Sequence, residues 1–265
     1  MKDLFDLTGK TIFITGGSGY LGNAMCHALA EYGATLIIAS RNSEKNLKLC
    51  SELTNLYDNS NEFLELDLEN QNEITEKLEI IIKKYGKIDI LINNSYYGLG
   101  GKFHEMNYAN WSKGIEGSIG TVFLCTKAVI NEMLKNGHGK IINIASMYGI
   151  VAPNVDDLYE GESCKKYYNP INYGVGKAAI IQFTKYIAAV YSKKGIICNC
   201  ISPGTFPSLE VQKNEIFIQR LTKKVPLGRI GRPEDLKGSI VFLCSDSSNY
   251  INGHNLIVDG GWTIW

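Results

Sequence analysis

Short apolar runs alternate with amphipathic helical patterns along this chain, and this alternation limits the fold more than any other feature. Most of the runs are apolar throughout, which is typical of strands buried on both faces of a parallel sheet. The predicted strands are Thr11–Thr15, Thr35–Ala39, Phe63–Leu66, Ile88–Ile92, Lys140–Ala145, Ile196–Ile201 and Asn255–Val258.

The segments between these strands have the spacing of helices that bury one face. They are Tyr20–Tyr32, Ser43–Leu56, Gln71–Tyr85, Tyr108–Asn136, Pro170–Lys194 and Pro233–Ser245. Four of the predicted helix ends carry the glycine that commonly closes a helix, namely Gly33, Gly86, Gly137 and Gly195. Repeated β–α units predict one α/β domain, a doubly wound sheet of about seven parallel strands flanked by helices. The length of 265 residues suits a single such domain. Its ligand site is expected at the carboxyl ends of the strands.

A glycine-rich turn follows the first predicted strand. The stretch Thr15–Gly22 contains the spacing G-x-G-x-x-G at Gly17, Gly19 and Gly22. Residues without Cβ let backbone N–H groups and a helix N-terminus approach a pyrophosphate. The motif alone also occurs in purely structural turns, but its place in the first β–α unit favours dinucleotide binding. The predicted cofactor residues here are Gly16, Gly17, Ser18, Gly19, Tyr20 and Leu21.

The end of the second strand bears on which dinucleotide binds. NAD sites usually place an acidic residue there for the ribose 2′-hydroxyl, whereas this chain has Ser40 and Arg41. Ser40 is expected to bond a 2′-phosphate, and Arg41 to pair with its charge and stack on the adenine. NADP(H) is therefore favoured over NAD(H). NAD(H) stays possible, because the alternative for Arg41 is a solvated surface residue.

Two further strand ends fit a nucleotide site. Asp67 and Leu68 follow the third strand and are expected to meet the adenine edge. Asn94 and Ser95 follow the fourth strand, where polar side chains would brace the cofactor-binding loops. Each pair on its own is equally compatible with an ordinary turn.

A catalytic group is expected after the fifth strand. Tyr173 and Lys177 are four residues apart and so share one face of a helix, and Ser146 directly follows the strand. A neighbouring Lys177 cation and an oxidised nicotinamide would lower the pKa of the tyrosine, and Lys177 would also hold the nicotinamide ribose. Ser146 would donate to the developing alkoxide. The alternative is a buried structural tyrosine beside an exposed lysine.

Taken together, these residues resemble the short-chain dehydrogenase/reductase family over essentially the whole chain. The motifs that carry the resemblance are Thr15–Gly22, Asp67, Asn93-Asn94, Ser146, Tyr173-x-x-x-Lys177, Asn199-x-x-Ser202-Pro203-Gly204, Pro226–Arg229, Arg232–Asp235 and Val258–Trp262. The resemblance implies one Rossmann-like domain in a homotetramer or homodimer. It also implies that Tyr173 is the acid–base with Lys177 and Ser146 as its partners. Pro203 and Gly204 would lie beside the nicotinamide.

Two departures from the family pattern concern the cofactor turn and the proton relay. The turn reads T-G-x-x-G-x-x-G, whereas the family branch of this size usually has T-G-x-x-x-G-x-G, so an altered pyrophosphate turn is expected. Ser118 stands where the family usually has an asparagine that feeds a proton relay. We include Ser118 among the catalytic candidates, and its short side chain leaves room for a weakened or redirected activity.

A third departure lies between Ser146 and Tyr173, where the chain is about twice as long as usual. The extra residues, about 154–169, predict a loop insertion that shapes or covers the pocket, or a surface loop without substrate contact. Residues 205–225 predict an amphipathic substrate lid or a fixed packing helix. The insertion and the chain terminus resemble a bacterial subgroup associated with flagellin glycosylation and nonulosonic-acid sugars. This resemblance implies a sugar or sugar-phosphate substrate, with Ser146, Tyr148, Tyr96 and Tyr173 as candidate substrate residues.

Charge and cysteine usage exclude some partners. Lys+Arg and Asp+Glu both number 27, and the resulting zero net charge argues against nucleic-acid and anionic-membrane binding. The acidic N-terminal residues predict no signal peptide, and no apolar run is long enough for a membrane span, so a cytoplasmic location is expected. The seven cysteines lack ligand spacing, which predicts reduced thiols and no metal.

Three functions remain open from the sequence. The leading one is an NADP(H)-dependent oxidoreductase that interconverts a carbonyl and an alcohol on a sugar-like substrate. The second is a 3-oxoacyl-thioester reductase, which would favour an apolar channel and a basic patch for a carrier protein. The third is a non-catalytic NADP(H)-binding sensor or scaffold, which only Ser118 supports.

Overall fold

Seven strands form one sheet in the order β3-β2-β1-β4-β5-β6-β7, and every neighbouring pair is parallel. The computed structural model describes residues 3–265, apart from the side chains of Asp156, Asp157 and Glu162. The strands are β1 Thr11–Thr15, β2 Thr35–Ser40, β3 Glu62–Glu65, β4 Ile90–Asn93, β5 Gly139–Ile144, β6 Ile196–Pro203 and β7 Asn255–Val258. The predicted doubly wound parallel sheet is confirmed, with strand ends shifted by at most two residues.

Helices connect the strands and cover both faces of the sheet. In chain order they are α1 Tyr20–Glu31, α2 Ser43–Tyr57, α3 Gln71–Tyr85, α4 Tyr108–Ile115, α5 Thr121–Asn136, α6 Val155–Leu158, α7 Glu162–Lys165, α8 Ile171–Tyr191, α9 Leu209–Gln212, α10 Glu215–Lys224 and α11 Lys237–Cys244. The four glycines expected at helix ends all have positive φ, between 62° and 91°. No helix among the described residues is long and apolar enough to cross a membrane.

Burial explains why the central strands form. All residues of β1, β4 and β5 are buried. Alternate side chains enter two hydrophobic clusters, one on each face of the sheet. Ile12 and Ile14 pack on one side with α1 and α11, while Phe13 packs on the other with α3 and α5. Because each of these strands buries both faces, the ligand site can form only at a strand end.

The helix predicted over Tyr108–Asn136 differs from the observed one. A π-helical segment, Glu116–Gly120, separates α4 from α5. Gly117 lies so close to the loop after β4 that a Cβ there would be 1.7 Å from the Tyr97 carbonyl oxygen. The Gly117 carbonyl accepts a hydrogen bond from the Tyr97 amide at 3.3 Å, so the widened turn pairs with the loop.

The predicted loop insertion at about 154–169 is a packed unit. It holds the single-turn helices α6 and α7, and the proposed lid at 205–225 holds α9 and α10. The two segments share a separate small core, which we call the cap core. Its buried members are Met147, Leu158, Tyr159, Cys164, Phe217, Leu221, Val225 and Trp262.

Candidate active site

One cavity of about 200 Å³ lies at the carboxyl ends of the central strands. It is lined by Leu21, Asn94, Tyr96, Ile144, Ala145, Ser146, Tyr173, Lys177, Pro203, Gly204 and Phe206. Eight of these are predicted site residues, which the topology brings together from five separate places in the chain. Sequence reasoning missed Ile144 and Ala145, because apolar residues at strand ends look like ordinary core residues. Phe206 was predicted only as part of the possible lid at 205–225.

The glycine turn is shaped for close backbone approach. Gly16 has φ +65°, and a Cβ on Gly22 would lie 2.2 Å from the Gly16 carbonyl oxygen. Gly19 is the N-cap of α1, so the first free amides of that helix open beside the turn. A turn in which Gly16 and Gly22 leave the backbone uncovered at a helix N-terminus fits a pyrophosphate group.

Asn94 ties the end of β4 to the glycine turn. Its Nδ2 donates to the carbonyl oxygens of Thr15 and Gly16, both at 3.0 Å. The amides of Asn94 and Ser95 both donate to the Thr15 hydroxyl, at 3.0 and 3.1 Å. The bracing expected of Asn94 is therefore present, and Thr15 is a participant that the sequence motif contains but the prediction left out.

The end of β2 differs in detail from the expected 2′-phosphate site. The Ser40 hydroxyl donates to the Asn46 side chain at 2.7 Å and lies 3.1 Å from the Ser18 hydroxyl. A serine has one proton, so Ser40 must rotate before it donates to a phosphate. Arg41 is exposed and forms an ion pair with Glu69 at 3.3 Å. Asn46 is fully buried, and nothing in the sequence singled it out.

The residues after β3 form a turn beside this ion pair. Asp67 accepts a hydrogen bond from the Glu69 amide at 3.0 Å, while Leu68 is buried. Glu69 also pairs with Lys113 at 2.9 Å. Asp67 therefore belongs to a polar turn next to the Arg41–Glu69 ion pair, whereas Leu68 packs into the hydrophobic core.

Lys177 is buried between two aromatic rings. Its Nζ donates to the Ile144 carbonyl at 2.7 Å and lies 5.6 Å from the Tyr173 ring centroid and 6.0 Å from that of Tyr96. Burial lowers the pKa of Lys177 to about 8. The ammonium group therefore stays mostly protonated at neutral pH, beside the ring of Tyr173.

The pKa of Tyr173 departs from expectation in direction. Burial raises it, and the Ser146 hydroxyl acts in the opposite sense by hydrogen bonding to the ionised form. The prediction of a lowered pKa is wrong for the protein alone, because desolvation of the phenolate outweighs this bond. Ser146 accepts the Tyr148 amide at 3.2 Å, which leaves the proton of the serine hydroxyl available to a substrate oxygen.

Two of the candidate substrate tyrosines flank this pair. Tyr96 packs edge-on against Tyr173 with centroids 4.9 Å apart, and burial raises the pKa of Tyr96 to about 12. The Tyr148 hydroxyl lies 3.4 Å from that of Tyr159 in the insertion, and burial also raises the Tyr148 pKa. Both phenols are hydrogen-bond donors at neutral pH. The sequence did not identify Tyr159 as the partner of Tyr148.

Ser118 does not reach the catalytic pair. It is fully buried in the π-helical segment, and its hydroxyl donates to the Gly114 carbonyl at 2.8 Å, with the Ile115 carbonyl at 3.1 Å. A Cβ on Gly176 would lie 1.9 Å from the Ser118 hydroxyl oxygen, so the serine packs against the catalytic helix α8. Its one proton is held by backbone oxygens, and the geometry gives no support to the predicted relay role.

The end of β6 closes the cavity. The Gly204 amide donates to the Val258 carbonyl at 2.9 Å, and a Cβ on Gly204 would lie 2.5 Å from the Asp259 Cα. Pro203 and Gly204 are thus fixed against β7 on the far side of the cavity from Leu21.

The family model described as Enoyl-(Acyl carrier protein) reductase matches residues 18–263. The chain belongs to the short-chain dehydrogenase/reductase family. It is an oxidoreductase of the class that acts on hydroxyl and carbonyl groups.

Named relatives of this short-chain dehydrogenase/reductase differ in their substrates. A 3-oxoacyl-(acyl-carrier-protein) reductase of Chlamydia trachomatis is 32% identical, covering 96% of this chain and 98% of that protein. Glucose 1-dehydrogenase 2 of Bacillus subtilis is 28% identical, covering 98% and 97%. The structure of a gluconate 5-dehydrogenase from Burkholderia cenocepacia J2315, in complex with NADP and tartrate, has a TM-score of 0.88 and 28% identity, covering 99% and 98%.

Proposed function

We propose that this protein is an NADP(H)-dependent oxidoreductase that interconverts a carbonyl and an alcohol on a sugar or sugar-phosphate substrate. The observation that carries the proposal is the cavity lined together by Ser146, Tyr173 and Lys177, beside a turn in which Gly16 and Gly22 leave no room for a Cβ. When bound, the cofactor supplies or accepts the hydride at this cavity.

The residues of the chain then handle the oxygen and its proton. Tyr173, protonated because burial raises its pKa, gives its proton to the oxygen formed by carbonyl reduction. Ser146 donates a hydrogen bond to the same oxygen. The charge of Lys177, 5.6 Å from the ring of Tyr173, stabilises the resulting tyrosinate.

Three observations support a polyhydroxylated substrate. The cavity wall carries Tyr96, whose ring face suits a sugar ring and whose hydroxyl suits its hydroxyl groups, and the Tyr148 phenol is close enough to Tyr173 for the two to interact electrostatically. The sequence resemblance to proteins of flagellin glycosylation and nonulosonic-acid pathways favours the same substrate class. Glucose and gluconate dehydrogenases are also among the relatives and structural neighbours.

A 3-oxoacyl-thioester reductase is the second candidate, because several relatives carry that name. A panel of keto-sugars, sugar phosphates and 3-oxoacyl thioesters, assayed by NADPH oxidation, separates the two. Faster turnover of thioesters would reject the sugar substrate. Tyr173→Phe should lower turnover by orders of magnitude while NADPH still binds, and unchanged function in that variant would indicate the non-catalytic sensor.

The proposed preference for NADP(H) rests on Arg41 and has a test of its own. Arg41→Ala should weaken NADPH binding at least about tenfold, the range for a hydrogen bond to a charged group, and leave NADH binding unchanged. Glu69→Gln should tighten NADPH binding, because it frees Arg41 from its ion pair. Equal effects on both dinucleotides would reject the assignment. Lys48→Ala on α2 is a control that changes a nearby charge.

We also propose that the protein is a homodimer or homotetramer. Helices α5 and α8 expose apolar side chains that a monomer would leave in water, among them Phe123, Tyr186 and Val190. Size-exclusion chromatography with light scattering measures the assembly, and a monomer at micromolar concentration would reject the proposal.

A further inference from the structure

Tyr20 is the first residue of α1, and it stands at the place where the usual family pattern T-G-x-x-x-G-x-G has its second glycine. A phenol is not needed there for a pyrophosphate, which requires only backbone N–H groups and space. The replacement of a glycine by the bulkiest residue of the turn therefore calls for another physical role.

The Tyr20 hydroxyl bonds to the lid. Gln212 Nε2 donates to the Tyr20 hydroxyl oxygen at 3.0 Å, across 192 positions of sequence, and also to the Pro207 carbonyl at 2.9 Å. The second bond holds the amide of Gln212 in place at the end of α9. Both amide protons are therefore used, one within the lid and one to the nucleotide turn.

This contact spans the cofactor cleft. Residues 204–212, which we call the strap, begin at Gly204 on the cavity wall and end at Gln212 on the glycine turn. Phe206 of the strap and Leu21, the neighbour of Tyr20, line the same cavity as Tyr173. The strap therefore runs from the nicotinamide end of the proposed site to its pyrophosphate end.

The other end of the lid is held more firmly than the strap. Phe217 of α10 stacks on Tyr167 of the insertion with centroids 4.7 Å apart. Arg220 donates to the Glu160 carbonyl at 2.6 Å. Within the strap, the Thr205 carbonyl accepts the Gly231 amide at 2.8 Å and Phe206 packs against the main hydrophobic core. At the far end of the strap, the contact with α1 is a single neutral hydrogen bond.

We propose that the Tyr20–Gln212 hydrogen bond is a gate on dinucleotide exchange, with both residues positioning the strap rather than contacting the reacting atoms. The inference rests on the proposed function in that the ligand is NADP(H). Because this hydrogen bond is formed in the protein without a bound dinucleotide, it must break when the dinucleotide enters as well as when it leaves. Removing it therefore speeds both steps and leaves the equilibrium constant nearly unchanged.

Stopped-flow fluorescence of NADPH measures both rate constants. Tyr20→Phe and Gln212→Leu should each raise the association and dissociation rates together by about 2- to 10-fold, the range for one neutral hydrogen bond. The Kd should change less than twofold, and the double variant should be no faster than Gln212→Leu, which also loses the bond to the Pro207 carbonyl. Gln219→Leu, on the exposed face of α10, is the matched control and should leave both rates unchanged.

Several results would overturn the gate. The first is that both single variants leave the NADPH association and dissociation rates unchanged, and the second is that their effects add in the double variant. The third is that only dissociation becomes faster, so that Kd weakens, which would indicate that the substituted side chain contacts the dinucleotide directly. If the wild-type protein binds NADPH and any of these results is found, the gate is rejected and the proposed function stands. Failure of the wild-type protein to bind NADPH rejects the proposed function and the gate together.

Discussion

Replacing Lys177 by methionine should make the protein more stable and inactive. Lys177 is 3% exposed, and burial lowers its pKa from 10.5 to about 8. Each tenfold change in proton affinity is worth about 1.4 kcal/mol, so keeping this ammonium charged inside the fold costs about 3 kcal/mol at neutral pH. The lost hydrogen bond to the Ile144 carbonyl offsets about 2 kcal/mol, because its donor is charged.

The expected net gain for Lys177→Met is therefore about 1 kcal/mol at pH 7, or about 2–4 °C in Tm for a domain of this size. The difference in unfolding free energy between the variant and the wild-type protein depends on pH. Because the folded-state pKa lies below the unfolded one, the unfolded chain binds more protons between about pH 8 and 10.5, and the wild-type protein gains stability as pH rises through that window. The advantage of the variant should shrink accordingly towards pH 10.

Urea denaturation of both proteins at several pH values, followed by circular dichroism, measures this difference, and titration of other groups cancels between them. Lys185→Met replaces an exposed lysine of the same helix and should change neither stability nor turnover appreciably. A Lys177→Met variant that is less stable than wild type at pH 7, or whose stability difference is constant up to pH 10, would refute the reasoning. Retained turnover would refute the catalytic assignment.

Two further substitutions test packing around the site. Gly176→Ala should destabilise the protein by about 1–3 kcal/mol, because the new Cβ would overlap the Ser118 hydroxyl. Gly238→Ala has open space around the new Cβ and should stabilise the protein by up to about 1 kcal/mol. Denaturation curves that place the two variants in the opposite order of stability would contradict this. Tyr159→Phe removes the hydroxyl that bonds to Tyr148 but keeps the ring packed. It should raise KM for a hydroxylated substrate about 2- to 10-fold with little change in kcat. An unchanged KM in steady-state kinetics would contradict a role of Tyr159 in positioning the substrate through Tyr148.

The sheet was predictable because its signals are local. Continuous apolar runs such as Thr11–Thr15 must be buried on both faces, and a glycine such as Gly86 marks where a helix ends. The π-helical segment Glu116–Gly120 was not predictable, since its widened turn depends on the close approach of Tyr97 and carries no periodicity of its own. Helix patterns report which face is buried, not how the backbone adjusts to a neighbour.

The site was predictable to the extent that topology alone gathers its residues. Strand ends of one parallel sheet meet at one edge, so Ser146 and Asn94 could be placed in the same cleft from their positions in sequence. The bond between Tyr20 and Gln212 and that between Tyr148 and Tyr159 depend on how segments outside the sheet pack. Such pairings follow from three-dimensional packing and have no spacing rule.

The cap core links two parts of the chain that are far apart in sequence. Tyr159 of the insertion and Phe217 of the lid pack with rings 5.9 Å apart, and Trp262 near the chain end closes the same cluster. A chimera that takes only one of these segments from a relative would set foreign side chains against these buried rings and lose their complementarity. We therefore expect that the two segments can be exchanged only together, and that a successful transplant must carry both.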